Sequence, residues 1–390
     1  MDPIDRRDML TGAGLAGLAG LAGTASTAFA QSTAQGNAVS TSEAPTGPEP
    51  GARHRINFGV IGLDHAHIYG MTDAMIRGGG TPVAFFAEDP AQIATFRKRY
   101  GNGVKLARSE AEVLEDKRIQ LILGAPIPDL RAPLGIRAMQ AGKDYLGDKP
   151  AITSLAQLAD VRQAVKDTGR KFAIMYSERL EVRAAVHAGH LVEQGRIGKV
   201  VQTVNLAPHR VNAPSRPDWF FDKARYGGIL TDIGSHQAEQ FLFYTRSTRA
   251  QVVAAQTGNL HWPAKPKFED FGDMMVTGNG GTGYVRVDWY TPDGLPTWGD
   301  GRLFLLGTDG YIELRKYIDV AGRPGGNHLI VADRKGVEYI DCSRVPLPFG
   351  PQFVTDIVER SSIAQDQAQA LLAAELVLTA QKNATRPITA

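Results

Sequence analysis

The 390 residues are enough for two domains and a sizeable core, and 43% hydrophobic with 22% charged residues is the make-up of a water-soluble globular chain. A formal net charge of only +2, with no Lys/Arg run, excludes a nucleic-acid footprint, and no apolar run reaches the roughly 20 residues of a membrane-spanning helix. Cys342 is the single cysteine, so no disulfide forms within the chain.

The N-terminus reads as an address. Arg6-Arg7 precedes a Gly/Ala/Leu segment from about Leu10 to Gly23, and Ala28-Phe29-Ala30 has the form of a cleavage site. This predicts a twin-arginine signal over residues 1–30, export through the twin-arginine translocase and a periplasmic or otherwise exported protein. Residues 31–52 are rich in Ser, Thr, Gly, Pro and Glu and read as a disordered linker.

From residue 53 strands and helices alternate. Strands are expected over Arg55–Gly62, Thr81–Ala87, Gln120–Gly124, Asp144–Gly147 and Phe172–Met175. Helices are expected over Leu63–Ile76, Pro90–Tyr100, Glu110–Asp116, Leu130–Ala141 and Leu155–Thr168. This spacing means a parallel sheet with right-handed crossovers, a doubly wound Rossmann-like domain over 53–172. The pattern then changes. A helix over Leu180–Gln194 precedes strands at Lys199–Ala207, Ala250–Gln256, Asp273–Thr277, Gly283–Trp289, Arg302–Leu306 and Tyr311–Arg315, linked mostly by turns. They predict an α+β domain over 173–348 with a large, mostly antiparallel sheet. Residues 349–390 read as a helical end that packs back on the first domain.

Gly59-Val-Ile-Gly62 ends the first strand where a dinucleotide's phosphates are cradled in such folds. Of the G-x-G-x-x-G fingerprint only Gly62 remains. Asp64 and His67 replace the other two glycines, and a carboxylate at position 64 is expected to repel phosphate. Asp64, His65 and His67 also suggest a metal site, but three ligands so close at a helix start seldom converge, so no metal is expected. Glu88, or Ala87 if the register slips by one, follows the second strand where ribose hydroxyls are bound. The choice between NAD and NADP stays open.

Two stretches carry the chemistry. Gly147-Asp-Lys-Pro150 ends a strand, where Lys149 is either a cleft lysine or a solvated one. Tyr226-Gly-Gly-Ile-Leu-Thr-Asp-Ile-Gly-Ser-His236 opens a helix. There Asp232 and His236 lie one turn apart, either as a surface pair or as a carboxylate that orients an acid/base imidazole, and the fold is expected to bring Lys149 against both. His209, Arg210 and Trp219, with Tyr176 and Arg179, are candidate substrate contacts. Residues Thr297–Arg302 read as a strand connection.

Ala141-Gly-Lys-Asp-Tyr-Leu-Gly-Asp-Lys-Pro150, Glu193-Gln-Gly-Arg-Ile-Gly-Lys-Val200 and Gly227-Gly228 through His236, in this order, resemble the Gfo/Idh/MocA family of oxidoreductases, with Asp148 where the family has Glu. The resemblance runs from about Arg55 to Arg386. It implies that Lys149 stands beside a nicotinamide and the reacting hydroxyl, that Asp232 binds and polarises substrate, and that His236 is the acid/base. It places Gly59, Gly62, Asp64, His65, Glu88, Pro126, Asp148 and Lys149 at the dinucleotide. Sugars, cyclitols and polyols are the implied substrates, and a homodimer or homotetramer the implied assembly. Export implies a tightly held cofactor. Two alternatives are an NAD-dependent glycoside hydrolase or lyase with no net redox change, and a cofactor-less protein that binds a sugar or a partner.

Overall fold

The computed structural model describes residues 43–386; the twin-arginine segment lies outside them. The first sheet is built from β1 (Ile56–Ile61), α1 (His67–Arg77), β2 (Gly80–Phe86), α2 (Pro90–Tyr100), β3 (Lys105–Leu106), α3 (Glu110–Leu114), β4 (Leu121–Gly124), α4 (Pro128–Gln140), β5 (Asp144–Asp148), α5 (Leu155–Thr168) and β6 (Phe172–Met175). All its pairings are parallel, in the order β3-β2-β1-β4-β5-β6. The strands are buried on both faces, which is why they read as unbroken apolar runs. The chain reverses direction across the sheet between β1 and β4, and a crevice opens there at the strands' C-terminal ends.

Two one-sided elements follow, α6 (Ser177–Leu180) and α7 (Arg183–Glu193), where a single helix is expected. The second sheet then collects β7 (Val200–Pro208), β8 (Ala250–Gly258), β9 (Phe271–Gly278), β10 (Thr282–Asp288), β11 (Arg302–Gly307), β12 (Gly310–Arg315), β13 (His328–Asp333) and β14 (Gly336–Asp341). Its order is β14-β13-β12-β11-β7-β10-β9-β8, and only β7 and β10 run parallel. The hairpin β13–β14 was not expected. Between β7 and β8 lie α8 (Lys223–Tyr226), α9 (Ile229–Asp232) and α10 (Gly234–Thr245). Every described residue of α10 but Phe243 is buried, so it is a core helix under the sheet.

The end of the chain forms α11 (Phe349–Glu359) and α12 (Gln367–Asn383). Helix α11 lies against α1. Helix α12 packs on α9, α10 and β8 but also on α5 and β6, so it joins both sheets rather than the first alone. The expected linker is also anchored before residue 52. The Glu49 N–H donates to the Arg77 carbonyl at 2.8 Å, and its carboxylate lies 3.3 Å from the Arg77 guanidinium.

Candidate active site

The C-terminal end of β5 carries Asp148 and Lys149 into the crevice. Lys149 Nζ donates to Asp232 Oδ1 at 3.0 Å, across 83 residues. Both side chains are largely buried, at 7% and 15% exposure. Burial alone would raise the Asp232 pKa, but the Lys149 ammonium, then His65 and His209, hold it below the usual carboxylate range. The approach of Lys149 to Asp232 is as the sequence reading expects; the Asp232–His236 pair it also offered is not formed. Asp232 ends α9, Ile233 interrupts the helix and His236 lies in α10. Asp232 accepts from Lys149, and among the described contacts none joins it to His236.

His236 is 2% exposed, and its Nδ1 has no hydrogen-bond partner. Burial pushes its pKa well below the ordinary histidine value, opposed first by Glu178 and reinforced by Lys149. The imidazole is therefore neutral and holds a lone pair. Beneath it is a network the sequence reading did not find. Lys316 Nζ lies 2.6 Å from Glu178 Oε2 and donates to Gln240 Oε1 at 2.9 Å, while Gln237 Nε2 donates to Glu178 Oε2 at 3.0 Å. Despite burial, Lys316, His236 and His209 hold Glu178 far below the normal carboxylate range. A carboxylate just past the end of the last parallel strand was the available signal.

The expected substrate residues divide. His209 faces the site, within electrostatic reach of Glu178, Lys149 and Asp232, and burial pushes its pKa down to about 4. Its ring lies between Trp298, at 4.4 Å, and Trp289, at 5.5 Å. The stretch read as a plain strand connection thus contributes Trp298 to an aromatic wall. The buried Trp289 Nε1 has no partner. Arg216, over Phe220 and Trp289, lies within reach of Asp232, and burial lowers its pKa to about 10. Tyr176 is 1% exposed; its hydroxyl donates to the Ala370 carbonyl, and only its ring edge meets His236, at 6.2 Å. Arg179 pairs with the buried Glu239 at 2.5 Å and stacks on Phe243. Arg210 donates to the carbonyls of Pro292 and Leu295 and braces that loop. Tyr176 and Arg179 therefore serve packing, because their polar ends are engaged, whereas Arg210 Nε is buried without a hydrogen-bond partner. Trp219 is half-buried against Phe220.

At the crevice the residues fit a dinucleotide. Gly62 has φ +78°, and a Cβ there would come within 2.7 Å of Pro126, so only glycine lets the loop pass. Helix α1 starts without a side-chain cap, and its Ile68 and Tyr69 amides donate to the His65 and Ala66 carbonyls in a tight first turn. Glu88 stands exposed just past β2 while Ala87 is buried, so Glu88 is the one that can reach a ribose. Asp64 is already engaged by Gln92 and the Ile127 backbone, and burial raises its pKa, which reduces the expected repulsion. Gly59 is different: it lies within β1 under α3, where a Cβ would meet Val113 at 2.5 Å, so it serves packing. Asp148 is fully buried beside His65, His67 and Arg131. Burial alone would raise its pKa, but Arg131, then His67 and His65, hold it well below the normal value. His65 is pushed down to about 3, mainly by burial and next by His67.

A two-layer α/β protein with a lysine–carboxylate pair at the switch crevice is the architecture of a nucleotide-dependent oxidoreductase. Residues 56–176 match the family model described as oxidoreductase family, NAD-binding Rossmann fold, and residues 186–313 match the GFO/IDH/MocA C-terminal domain. The chain belongs to the GFO/IDH/MocA family and carries its NAD-binding Rossmann domain. It is 46% identical to a crystal structure from Erwinia carotovora atroseptica SCRI1043, an oxidoreductase by name, over 85% of this chain and 99% of that one, with TM-score 0.82. The fold also matches levoglucosan dehydrogenase solved with NADH and levoglucosan: TM-score 0.69, 18% identity, 85% of this chain and 98% of that one. Among curated relatives, D-xylose dehydrogenase of Paenarthrobacter nicotinovorans is 26% identical, over 32% of this chain and 33% of its own length. The scyllo-inositol 2-dehydrogenase (NAD(+)) of Bacillus subtilis (strain 168) is 22% identical over 72% of this chain and 81% of its own length. The chain spans a third of the first of these and about three fifths of the 1,5-anhydro-D-fructose reductase of Ensifer adhaerens.

Proposed function

We propose that the chain oxidises a carbon-bound hydroxyl, or reduces the matching ketone, of a sugar or polyol with a nicotinamide dinucleotide. The observation that carries this reading is the 3.0 Å Lys149–Asp232 pair beside the buried, unpartnered Nδ1 of His236. A bound nicotinamide supplies the hydride acceptor or donor. Lys149, held in place by Asp232, puts an ammonium where an alkoxide develops, and little water remains to screen it. His236, kept neutral by burial, takes the hydroxyl proton. Glu178 steadies the imidazolium that results. Trp289 and Trp298 offer aromatic faces to the C–H side of a sugar ring, and the Trp289 N–H a donor to a hydroxyl. Relatives named for D-xylose, scyllo-inositol and levoglucosan support this substrate class. Glu88 disfavours a 2′-phosphate and so favours NAD.

Three further parts of the reading belong here. Arg6-Arg7 and Ala28-Phe29-Ala30 support export by the twin-arginine route. A cofactor held tightly through turnover follows from export, because free dinucleotide is scarce outside the cytoplasm. A homodimer or homotetramer is supported by the outer face of the second sheet, where Val253, Met275, Leu306 and Tyr311 are exposed.

The test is to purify the protein without added nucleotide, denature it and identify what is released by mass spectrometry. NAD or NADP in about molar ratio, reduced on adding a polyol, supports the reading. No dinucleotide released, and none bound on titration, sinks it. Turnover of a glycoside with no electron acceptor would establish the redox-neutral hydrolase or lyase instead.

A further inference from the structure

His65 immediately precedes the first turn of α1, and His67 is the first residue of that helix. Asp148, the last residue of β5, reaches both across the crevice. His67 Nδ1 hydrogen-bonds Asp148 Oδ1 at 2.9 Å, 81 residues apart in sequence. His65 Nδ1 lies 2.9 Å from Asp148 Oδ2. One ligand atom from each of the three residues falls within 4.8 Å of the other two. Asp148 is wholly buried, and the histidine side chains are 16% and 31% exposed.

The two contacts are not alike. His65 Nδ1 and Asp148 Oδ2 are in van der Waals contact, yet both are buried and neither makes a hydrogen bond of acceptable geometry. The Arg131 guanidinium, 3.0 Å from the same Oδ2, does not satisfy it either. Buried polar atoms are almost always paired, so two adjacent ones with unspent capacity point to a shared third partner. We propose that His65, His67 and Asp148 bind a divalent transition-metal ion.

The donor set selects the metal. Two imidazole nitrogens and one carboxylate oxygen suit Zn²⁺, Co²⁺, Ni²⁺ or Fe²⁺, whereas Mg²⁺ and Ca²⁺ prefer oxygen ligands throughout. Asp148 enters through Oδ2, the oxygen that neither His65 nor Arg131 satisfies. The ion replaces the His67–Asp148 hydrogen bond, and the Nδ1 proton leaves to solvent. Three protein ligands leave a coordination position open to water or another oxygen donor. The site adjoins Lys149 in the chain, so the ion stands at the edge of the crevice. The proposal rests on these three side chains and does not depend on the oxidoreductase reading.

Cobalt is the probe. The full chain, purified without a histidine tag, is stripped with a chelator, checked for its fold by circular dichroism and titrated with Co²⁺ in the absence of nucleotide. One equivalent bound, with a visible d–d band, supports the site. His65→Gln and His67→Gln, each still folded, then weaken Co²⁺ binding about tenfold or more and change the band. A folded wild-type chain that binds no Co²⁺ overturns the proposal. So does a doubly substituted, folded chain that binds as tightly as the wild type, since the ion would then sit elsewhere. NADH binding measured on the stripped protein reports on the dinucleotide site separately.

Discussion

Lys149, Asp232 and His236 depend on one another through charge. Lys149→Met removes the ammonium and leaves Asp232 without its partner at 3.0 Å. The expected result is a loss of about 10²–10³ in kcat with dinucleotide still bound, measured by steady-state kinetics beside a binding titration. His236→Asn should lose a similar factor, and in the wild type the acid limb of the kcat profile should fall below the ordinary histidine pKa. A limb at or above that value would exclude His236 as the base. His209 makes the stability prediction. Its pKa is pushed from 6.5 in the unfolded chain to about 4 when folded. Between those values the unfolded chain binds more protons, so stability rises with pH across that window and is flat above it. His209 contributes on the order of 3 kcal/mol across it. Denaturant titrations of wild type and His209→Gln, over a pH series, check this; parallel curves would rule it out.

Helix α6 is a single turn, yet it anchors the floor of the site. Its Glu178 meets Lys316, just past β12, and both meet α10 through Gln237 and Gln240. Removing one member of a buried pair strands the other, at a cost of about 3–5 kcal/mol. Lys316→Met should therefore lower stability by that order, and Glu178→Gln on top of it should restore a large part; melting curves of the single and double variants decide. A double variant no more stable than the single one would mean that the pair is not the source. Elements of this kind mark the limit of what the sequence makes legible. Helices α2 and α5 are read to the residue because Asp89 and Ser154 cap them and Gly101 and Gly169 end them. Lys149, Asp232 and His236 are legible because each lies in a short, patterned stretch. The hairpin β13–β14 is not, since β14 is an exposed edge strand with no buried face to impose alternation. Glu178–Lys316 and His65–His67–Asp148 are not legible either, because pairings across 138 and 81 residues have no spacing to read.

At the scale of the whole molecule, two sheets of different type share one closing helix. The buried cluster centred on the parallel sheet runs without a break into α9, α10, β9, β10 and α12. Helix α12 also contributes a polar clamp. Gln381 accepts from the Leu230 N–H at 3.0 Å and donates to both oxygens of Glu269, which in turn accepts from the Ile229 N–H at 3.0 Å. These bonds fix the start of α9, and α9 ends at Asp232. The position of Asp232 against Lys149 therefore depends on a helix more than 130 residues later. Because this apolar cluster is shared by both sheets, opening either one exposes apolar surface of the other, so heating should give one cooperative transition. Calorimetry checks this by comparing calorimetric with van't Hoff enthalpy; two separated transitions would show that the layers fold alone. Gln381→Ala should keep that single transition but loosen α9, because the Leu230 N–H loses its acceptor and Glu269 one of its donors. Its kcat should fall with that of Lys149→Met as the reference, and a variant with unchanged kcat would show that α9 is held by packing alone.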